Sequence, residues 1–229
     1  MLSRVASPYI IQLWQGMQSQ DSVFNVLTLC SGNTVKELIR SQGFVVEETC
    51  KLWMQQAIEA LTELNMFSYL PRVISNDCFR LLENNLCLDI AGSSRNMQLY
   101  VGQPPNLYTT ESPEQLQFGV GSSPDLLNDV WSVGVCMYEL LFGGLPWTPQ
   151  SDPSSHLSFV VNHSGTNLPF PVNTKVSNEA KVLLQQMINP NKQQRLLWTS
   201  LMNHNYFKNV DFLTPRQSVK PGDKFGFES

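Results

Sequence analysis

The chain has 229 residues, and 42% of them belong to the hydrophobic set, so it is long enough for one large domain or two small ones with a sizeable core. Fifteen basic and nineteen acidic residues give a net charge of −4, and no run of Lys and Arg resembles a nucleic-acid footprint or a polybasic membrane anchor. The composition therefore predicts no nucleic-acid partner.

Cysteine usage and the N-terminus both indicate a cytoplasmic protein. The five cysteines are scattered, with no C-x-x-C pair and no zinc-ligand spacing, which is typical of reduced thiols. Ser3, Arg4, Ser7 and Pro8 interrupt the first apolar run, so no secretory signal peptide is expected.

The most apolar long stretch is DVWSVGVCMYELLFGGLPW, residues 129–147. A membrane span is one interpretation, but a charged Glu139 at its centre would cost about 2.5 to 3.5 kcal/mol, and Gly143 and Gly144 end the stretch early. We therefore predict a buried core helix and no membrane partner. Asp129 at its head is either a helix cap or a group with another role.

Taken in chain order, the first elements are two strands and two helices. The apolar runs YIIQLW (9–14) and VFNVLTL (23–29), joined by GMQSQD, predict an antiparallel pair. VKELIRSQ (35–42) predicts a short helix that ends at Gly43. Residues 47–64 place apolar side chains three and four apart, which predicts a long amphipathic helix.

The second half is predicted to be mainly helical. CFRLL and LCLDI predict a hairpin that turns at residues 83–85. The further predictions are a long ordered loop over 92–125, helices over 129–142, near 156–163, from 178 with Ser177 as its cap, and around 199–207, and a loosely ordered tail over 211–229.

Several motifs occur in the order found in one family. Ser112-Pro113-Glu114 resembles A-P-E, DVWSVG (129–134) resembles D-x-W-S-x-G, and YELLFGGLPW (138–147) resembles the segment that follows it. VSNEAKVLLQQMINPNKQQR (176–195) resembles the family's closing motif, and SPYIIQLW (7–14) and VLTLCSGNTVKELI (26–39) resemble its H-P-x-I-x-x-L and hinge segments. Over roughly residues 7–208 the chain resembles the large lobe of a protein kinase.

The resemblance implies a fold and several structural roles. It implies an α+β, mainly α fold, in which residues 1–30 are a remnant of the small lobe and hinge, residues 31–208 form the large lobe, and residues 209–229 are a polar C-terminal tail. It also implies a structural ion pair between Glu114 and Arg195. Asp129 is expected to accept backbone N–H groups of the catalytic loop, and Trp131 of the same motif is expected to be structural.

The resemblance also implies that the catalytic groups are missing. No glycine-rich loop, lysine strand or C-helix glutamate precedes residue 7, and YLPRVISND and LDIAG stand where the family has H-R-D-L-x-x-x-N and D-F-G. In one register Asn76 and Asp89 are the metal ligands and Pro71 occupies the position of the base. In the other register Asp77 and Ile90 occupy the ligand positions and Arg72 that of the base.

Neither residue at the base position can accept a substrate proton, because proline has no basic side chain and arginine stays protonated. The interpretation of Asn76 as a loop or cap residue and of Asp89 as a strand-end carboxylate stands beside the metal-site interpretation. Nucleotide binding would also need the hinge, where Thr28 and Cys30 are the candidates.

Three functional hypotheses follow from this resemblance. The first is an inactive kinase homologue, without cofactor or phosphotransfer activity, that acts as a scaffold or allosteric regulator of a protein partner such as an active kinase or signalling complex. The second is a residual Ser/Thr kinase-like protein that binds ATP and Mg²⁺. The third is a truncated isoform without independent function, whose uncovered strand edges favour association.

Overall fold

The computed structural model describes residues 7–30, 33–67, 71, 74–89, 110–118, 125–148, 150, 152–172, 174–208 and 210. The helices and strands in chain order are β1 (Leu13–Gln18), β2 (Val23–Leu27), α1 (Val35–Gln42), α2 (Glu47–Met66), β3 (Phe79–Leu82), β4 (Asn85–Leu88), α3 (Pro113–Phe118), α4 (Leu126–Phe142), α5 (Pro153–Asn162), α6 (Asn178–Met187) and α7 (Trp198–Leu201). Short 3₁₀ helices cover Asn76–Cys78, Gly165–Asn167 and Asn205–Phe207.

Helix α4 is the centre of the core. Every residue from Asn128 to Leu141 is buried, and the helix contacts α2, α6 and α7. A helix that is apolar on all sides must be surrounded by protein or lipid. Among the described residues, none of the helices combines the length and the apolar character needed to cross a bilayer. Residues 129–142 of the predicted stretch therefore lie in a core helix.

The start of α4 differs from the prediction. The helix begins at Leu126, and the carboxylate of Asp125 accepts a hydrogen bond from the Leu127 N–H at 2.9 Å. Asp125 is therefore the N-cap, and Asp129 lies one turn inside the helix, where its side chain needs partners outside its own helix. The helix ends at Gly143, whose positive φ of 77° is a left-handed conformation that glycine adopts without strain.

Gly134 of α4 lies against Met187, the last residue of α6. A Cβ atom at this position would lie 2.8 Å from Met187 Cβ and 2.9 Å from Ile188 Cγ1. Because overpacking of a close-packed core typically costs about 1 to 3 kcal/mol, we expect Gly134→Ala to lower the free energy of unfolding by that amount. Urea denaturation measures the change. Gly144→Ala is the matched control, since its Cβ would meet no atom within 4 Å, and equal unfolding midpoints for the two variants would contradict the prediction.

The first hairpin lies further along the chain than predicted. β1 begins at Leu13 rather than Tyr9 and pairs antiparallel with β2. The residues before it pair with the other hairpin instead, because the Ile11 N–H donates to the Leu88 carbonyl at 3.0 Å and the Leu88 N–H donates to the Tyr9 carbonyl at 2.8 Å. The predicted hairpin formed by β3 and β4 is confirmed, with Glu83 at a positive φ of 57° in its turn.

The sequence predicts the positions of three helices correctly. Thr34 and Glu37 form a reciprocal capping box at the start of α1, and Gly43 ends that helix with φ 91°. Ser177 caps α6, and its hydroxyl also donates to the Glu47 carboxylate at 2.5 Å, which ties α6 to the start of α2. The predicted long helix over 47–64 is confirmed as α2.

Other boundaries differ from the prediction. Within the predicted loop over 92–125, Pro113–Phe118 is helical, and most of the remainder lies outside the described residues. Helix α5 begins at Pro153 because the Asp152 carboxylate caps it. The predicted last helix is split into α7 and a 3₁₀ turn capped by His204, whose Nδ1 accepts the Tyr206 N–H at 3.2 Å. The predicted tail, except Val210, lies outside the described residues, and the division into domains stays a prediction.

Candidate functional site

The first part of the candidate site is an ion pair that joins three segments. Arg195 Nη1 lies 2.6 Å from Glu114 Oε1 and Arg195 Nη2 lies 3.0 Å from Glu114 Oε2, so the pair is bidentate. The guanidinium also donates to the carbonyls of Leu127 at 2.8 Å and Asn189 at 3.0 Å, and its side chain is fully buried. One arginine thus connects α3, the first turn of α4 and the loop after α6.

The contact with Arg195 determines the direction in which the pKa of Glu114 is shifted. Burial acts to raise the pKa of the carboxyl, but the hydrogen bonds and charge of Arg195 outweigh it, and the pKa of Glu114 is lowered. The centroid of the Trp131 ring lies 5.0 Å from the guanidinium carbon of the same arginine, and Trp131 stacks on Trp147 at a centroid distance of 5.8 Å. The ion pair and the two rings form one buried structural unit.

The segment before α3 is fastened to α4 by side-chain hydrogen bonds. Ser132 Oγ donates to the Thr110 carbonyl at 2.8 Å, and Ser112 Oγ donates to Asn128 Oδ1 at 3.1 Å. Between them, Glu111 is 4% exposed, and its Oε2 atom has no hydrogen-bond partner in the part of the chain that the structure describes. Burial raises the pKa of Glu111 to about 7. Glu111 was not predicted as a site residue, and its signal in the sequence is its position directly before Ser112-Pro113-Glu114.

Asp129 is buried at the side of α4. Burial, followed by the charge of Asp125, raises the pKa of Asp129 to about 8. The resemblance implies that its partners are backbone N–H groups of YLPRVISND (69–77), of which residues 69, 70, 72 and 73 lie outside the described residues. The role of Asp129 as an acceptor for that loop stays a prediction.

Glu139, at the centre of the core helix, is bound by two other elements. Lys36 Nζ of α1 forms an ion pair with Glu139 Oε1, and Asn76 Nδ2 donates to Glu139 Oε2 at 2.9 Å. A buried carboxylate is tolerated when it is paired and hydrogen-bonded, and these two contacts meet that need. The pairing of Glu139 with Lys36 has no local signal in the sequence, because Lys36 lies 103 positions away in the chain.

The candidate metal ligands also make structural contacts. Asn76 Nδ2 makes a second hydrogen bond, to the Cys136 carbonyl at 3.2 Å, while its Oδ1 atom is buried and has no partner among the described residues. Asp89 Oδ2 lies 3.0 Å from Arg80 Nε, so this carboxylate already pairs with a cation. The Asn76 and Asp89 set therefore fits Mg²⁺ poorly, since its one carboxylate is partly neutralised.

In the second register, Asp77 is the one candidate ligand that lies within the described residues. Burial is the main cause of a raised pKa at Asp77, partly offset by the charges of Lys36 and Arg40. Ile90 and Arg72 lie outside the described residues, and Pro71 is half-buried. Across the described ranges, no group of three His, Cys, Asp or Glu side chains is arranged to hold a metal ion.

The candidate hinge residues are held by neighbouring backbone and side chains. The Thr28 N–H donates to the Gln12 carbonyl at 3.0 Å, and Thr28 Oγ1 accepts a hydrogen bond from Trp14 Nε1 at 3.1 Å. Cys30 is half-buried, and burial raises the pKa of its thiol. Thr28 is thus hydrogen-bonded to the segment that precedes it, and a role of Thr28 or Cys30 in nucleotide binding stays a prediction.

Known proteins resemble this chain along most of its length. A family model described as Protein kinase domain matches residues 105–207. The chain is 28% identical to serine/threonine-protein kinase ULK3 of Xenopus laevis over 100% of this chain and 48% of that protein. It is 28% identical to serine/threonine-protein kinase ATG1c of Arabidopsis thaliana over 98% of this chain and 31% of that protein. It is 25% identical to the probable cell cycle serine/threonine-protein kinase CDC5 homolog of Encephalitozoon cuniculi over 89% of this chain and 43% of that protein.

These likenesses are to protein kinases, and each of the three relatives is less than 30% identical to this chain. The predicted fold class is confirmed as an α+β, mainly α, kinase-like large lobe with a small remnant of sheet, because the described residues are mainly helical and carry two small two-stranded sheets. The chain spans less than half the length of each of these three relatives.

Proposed function

We propose that this protein is a catalytically inactive kinase homologue that acts as a protein-interaction scaffold or allosteric regulator, with a protein partner such as an active kinase or signalling complex. Phosphoryl transfer depends almost wholly on positioned groups that hold the phosphates and Mg²⁺ and on a base that orients the nucleophile. In this proposal those groups have been replaced, while the contacts that stabilise the large lobe remain.

One observation carries the proposal: the only carboxylate of the candidate metal pair, that of Asp89, already pairs with a cation within the fold. Asn76 directs its amide nitrogen to Glu139 and Cys136, and Asp89 pairs with Arg80. Asp89 would have to exchange its contact with Arg80 for a cation at Oδ2, whereas the contacts of Asn76 involve only its Nδ2 atom. Pro71 at the position of the base adds to this argument, since proline offers no proton acceptor in its side chain.

A second candidate function is residual binding of ATP and Mg²⁺. The observation in its favour is Asn76 Oδ1, a buried oxygen without a hydrogen-bond partner among the described residues. Oxygen atoms of this kind are ligands that Mg²⁺ accepts, usually together with substrate phosphates and water. The two candidate functions therefore differ in whether the protein binds ATP and Mg²⁺, which can be measured.

We expect ATP and Mg²⁺ to leave the melting temperature of the protein unchanged. A ligand that binds only the folded state stabilises it by RT ln(1 + [L]/Kd), so millimolar nucleotide would reveal even weak binding. Thermal-shift titration with ATP, with and without Mg²⁺, measures this, and transfer of labelled phosphate to a generic substrate measures activity. Asp89→Asn tests the candidate ligand, and Asp21→Asn, in the exposed turn between β1 and β2, is the matched control.

A saturable, Mg²⁺-dependent shift that Asp89→Asn abolishes and Asp21→Asn retains would overturn the inactive assignment and support the second candidate.

The scaffold role has its own test. A partner identified from cells is purified and mixed with the full chain, and a stoichiometric complex that Asp89→Asn leaves intact is the expected result. Recovery of chaperones alone would contradict a scaffold role and favour the truncated-isoform hypothesis.

A further inference from the structure

A short segment directly before α3 is buried and is hydrogen-bonded to the core helix at both of its ends. Thr110, Glu111 and Ser112 are 3%, 4% and 0% exposed. The Thr110 carbonyl accepts a hydrogen bond from Ser132 Oγ at 2.8 Å, and Ser112 Oγ donates to Asn128 Oδ1 at 3.1 Å. Both partners belong to α4. We call residues 110–112 the anchored segment.

The carboxyl group of Glu111, in the middle of the anchored segment, has one uncompensated oxygen. Its Oε2 atom makes no hydrogen bond within the part of the chain that the structure describes. A neutral carboxyl group tolerates such burial far better than a carboxylate does, because a buried charge without a partner is the most costly case. Ionisation of Glu111 therefore favours a conformation in which this oxygen reaches water.

The shift at Glu111 arises mainly from burial rather than from neighbouring charges. The segment contacts α4, and α3 packs against α5. The titratable groups in the first turns of α4, in α3 and in α5, together with the cations that pair with two of them, are Asp125, Asp129, Glu114, His156, Lys192 and Arg195. Asp125 pairs with Lys192, and Glu114 pairs with Arg195. Burial raises the pKa of Glu111, and backbone hydrogen bonds at Glu111 and Thr110 offset this only in part.

Helix α3 has an attachment of its own that does not depend on Glu111. Glu114 and Arg195 form a bidentate ion pair, and Arg195 also donates to the Leu127 carbonyl at 2.8 Å. By contrast, the hydrogen bonds of Ser132 and Ser112 join neutral groups and are weaker than charge-assisted ones. Weakly held segments open locally while the rest of a protein stays folded. The anchored segment is therefore able to leave α4 while α3 remains attached.

We propose that the anchored segment is a pH-sensitive contact, in which ionisation of Glu111 releases residues 110–112 from α4 while Glu114 and Arg195 keep α3 in place. The direction follows from proton linkage. The pKa of Glu111 is about 7 when the segment is attached and 4.5 in its ordinary, solvated state, so between these values the attached state binds more protons. A rise in pH therefore shifts the equilibrium toward release. The proposal does not rest on the inactive-kinase assignment.

Hydrogen–deuterium exchange of the full chain at pH 5 and pH 8, corrected for the intrinsic exchange rates, tests the proposal. Suitable amides exist, because the Ser112 N–H donates to Gln115 Oε1 at 3.0 Å and the Leu116 N–H donates to the Ser112 carbonyl at 3.0 Å. Protection over residues 110–118 is expected to fall roughly 10- to 100-fold between the two pH values. It is also expected to be lower than the protection of α2 at both.

This comparison in the wild type can overturn the proposal without any variant. Protection over residues 110–118 that is equal to that of α2 at both pH values would mean that the segment opens only when the whole protein unfolds. Protection that stays constant between pH 5 and pH 8 would mean that ionisation of Glu111 does not release it. Either result contradicts the proposal.

Three variants test the roles of the individual groups. Glu111→Gln cannot ionise and is expected to lose the fall in protection, whereas Glu179→Gln, at an exposed position of α6, is expected to behave as the wild type. Ser132→Ala removes the donor to the Thr110 carbonyl, so protection is expected to be lower at both pH values, with the fall retained. A fall of wild-type size in Glu111→Gln, or unchanged protection in Ser132→Ala, would overturn the proposal.

Discussion

Glu114→Ala is expected to lower the free energy of unfolding by about 3 to 5 kcal/mol, the cost typical of removing one partner of a buried ion pair. The reason lies with the partner that remains. Arg195 is fully buried, and truncation of Glu114 leaves its guanidinium with two backbone carbonyls and the face of Trp131 but no opposite charge. Urea denaturation followed by circular dichroism measures the change.

Two further variants separate the charge from the side-chain volume. Glu114→Gln keeps a hydrogen-bonding side chain and is expected to cost less than Glu114→Ala, while Glu179→Ala, at an exposed position of α6, is expected to stay within about 0.5 kcal/mol of the wild type. The pKa of Glu114 is lowered in the folded state, so its contribution is present above the ordinary carboxyl pKa of 4.5 and is lost as the pH falls below it. An unfolding curve of Glu114→Ala that coincides with that of the wild type would mean that the pair contributes nothing to stability.

The parts of the fold that the sequence predicts correctly are those specified by nearby residues. Helix α1 has its capping box and its terminal glycine within ten positions, and α2 repeats its apolar residues at helical spacing over five turns. The hairpin of β3 and β4 has a two-residue turn between two apolar runs. In each case the hydrogen bonds that define the element are local, so a pattern in the sequence contains the required information.

The structural features that the sequence predicts wrongly, or does not predict, depend on contacts between distant segments. β1 starts four residues late because Tyr9 and Ile11 hydrogen-bond to Leu88, and no local pattern reports that pairing. Glu139 is explained only by Lys36 and Asn76, which come from two other parts of the chain. The candidate metal ligands likewise had a suitable spacing, but spacing did not reveal that Arg80 pairs with Asp89.

Glu111→Gln is expected to remove part of the pH dependence of stability. The pKa of Glu111 is raised from 4.5 to about 7 in the folded state, because burial disfavours its charged form. Between these values the folded state binds more protons than the unfolded state, so stability falls as the pH rises from about 4.5 to about 7. At 1.36 kcal/mol per pKa unit, the ionised side chain costs about 3 kcal/mol at pH values above its folded pKa, and glutamine never ionises.

The measurement is the free energy of unfolding of the wild type and of Glu111→Gln in acid and in mildly alkaline buffer. The variant is expected to gain up to about 3 kcal/mol relative to the wild type on going from acid to alkali. This comparison cancels any constant cost of burying the glutamine amide. It also cancels the contribution of Asp129, whose pKa is raised to about 8 in both proteins. Glu179→Gln, an exposed control, is expected to follow the wild type at every pH, and the same course for Glu111→Gln would show that Glu111 reaches solvent when it ionises.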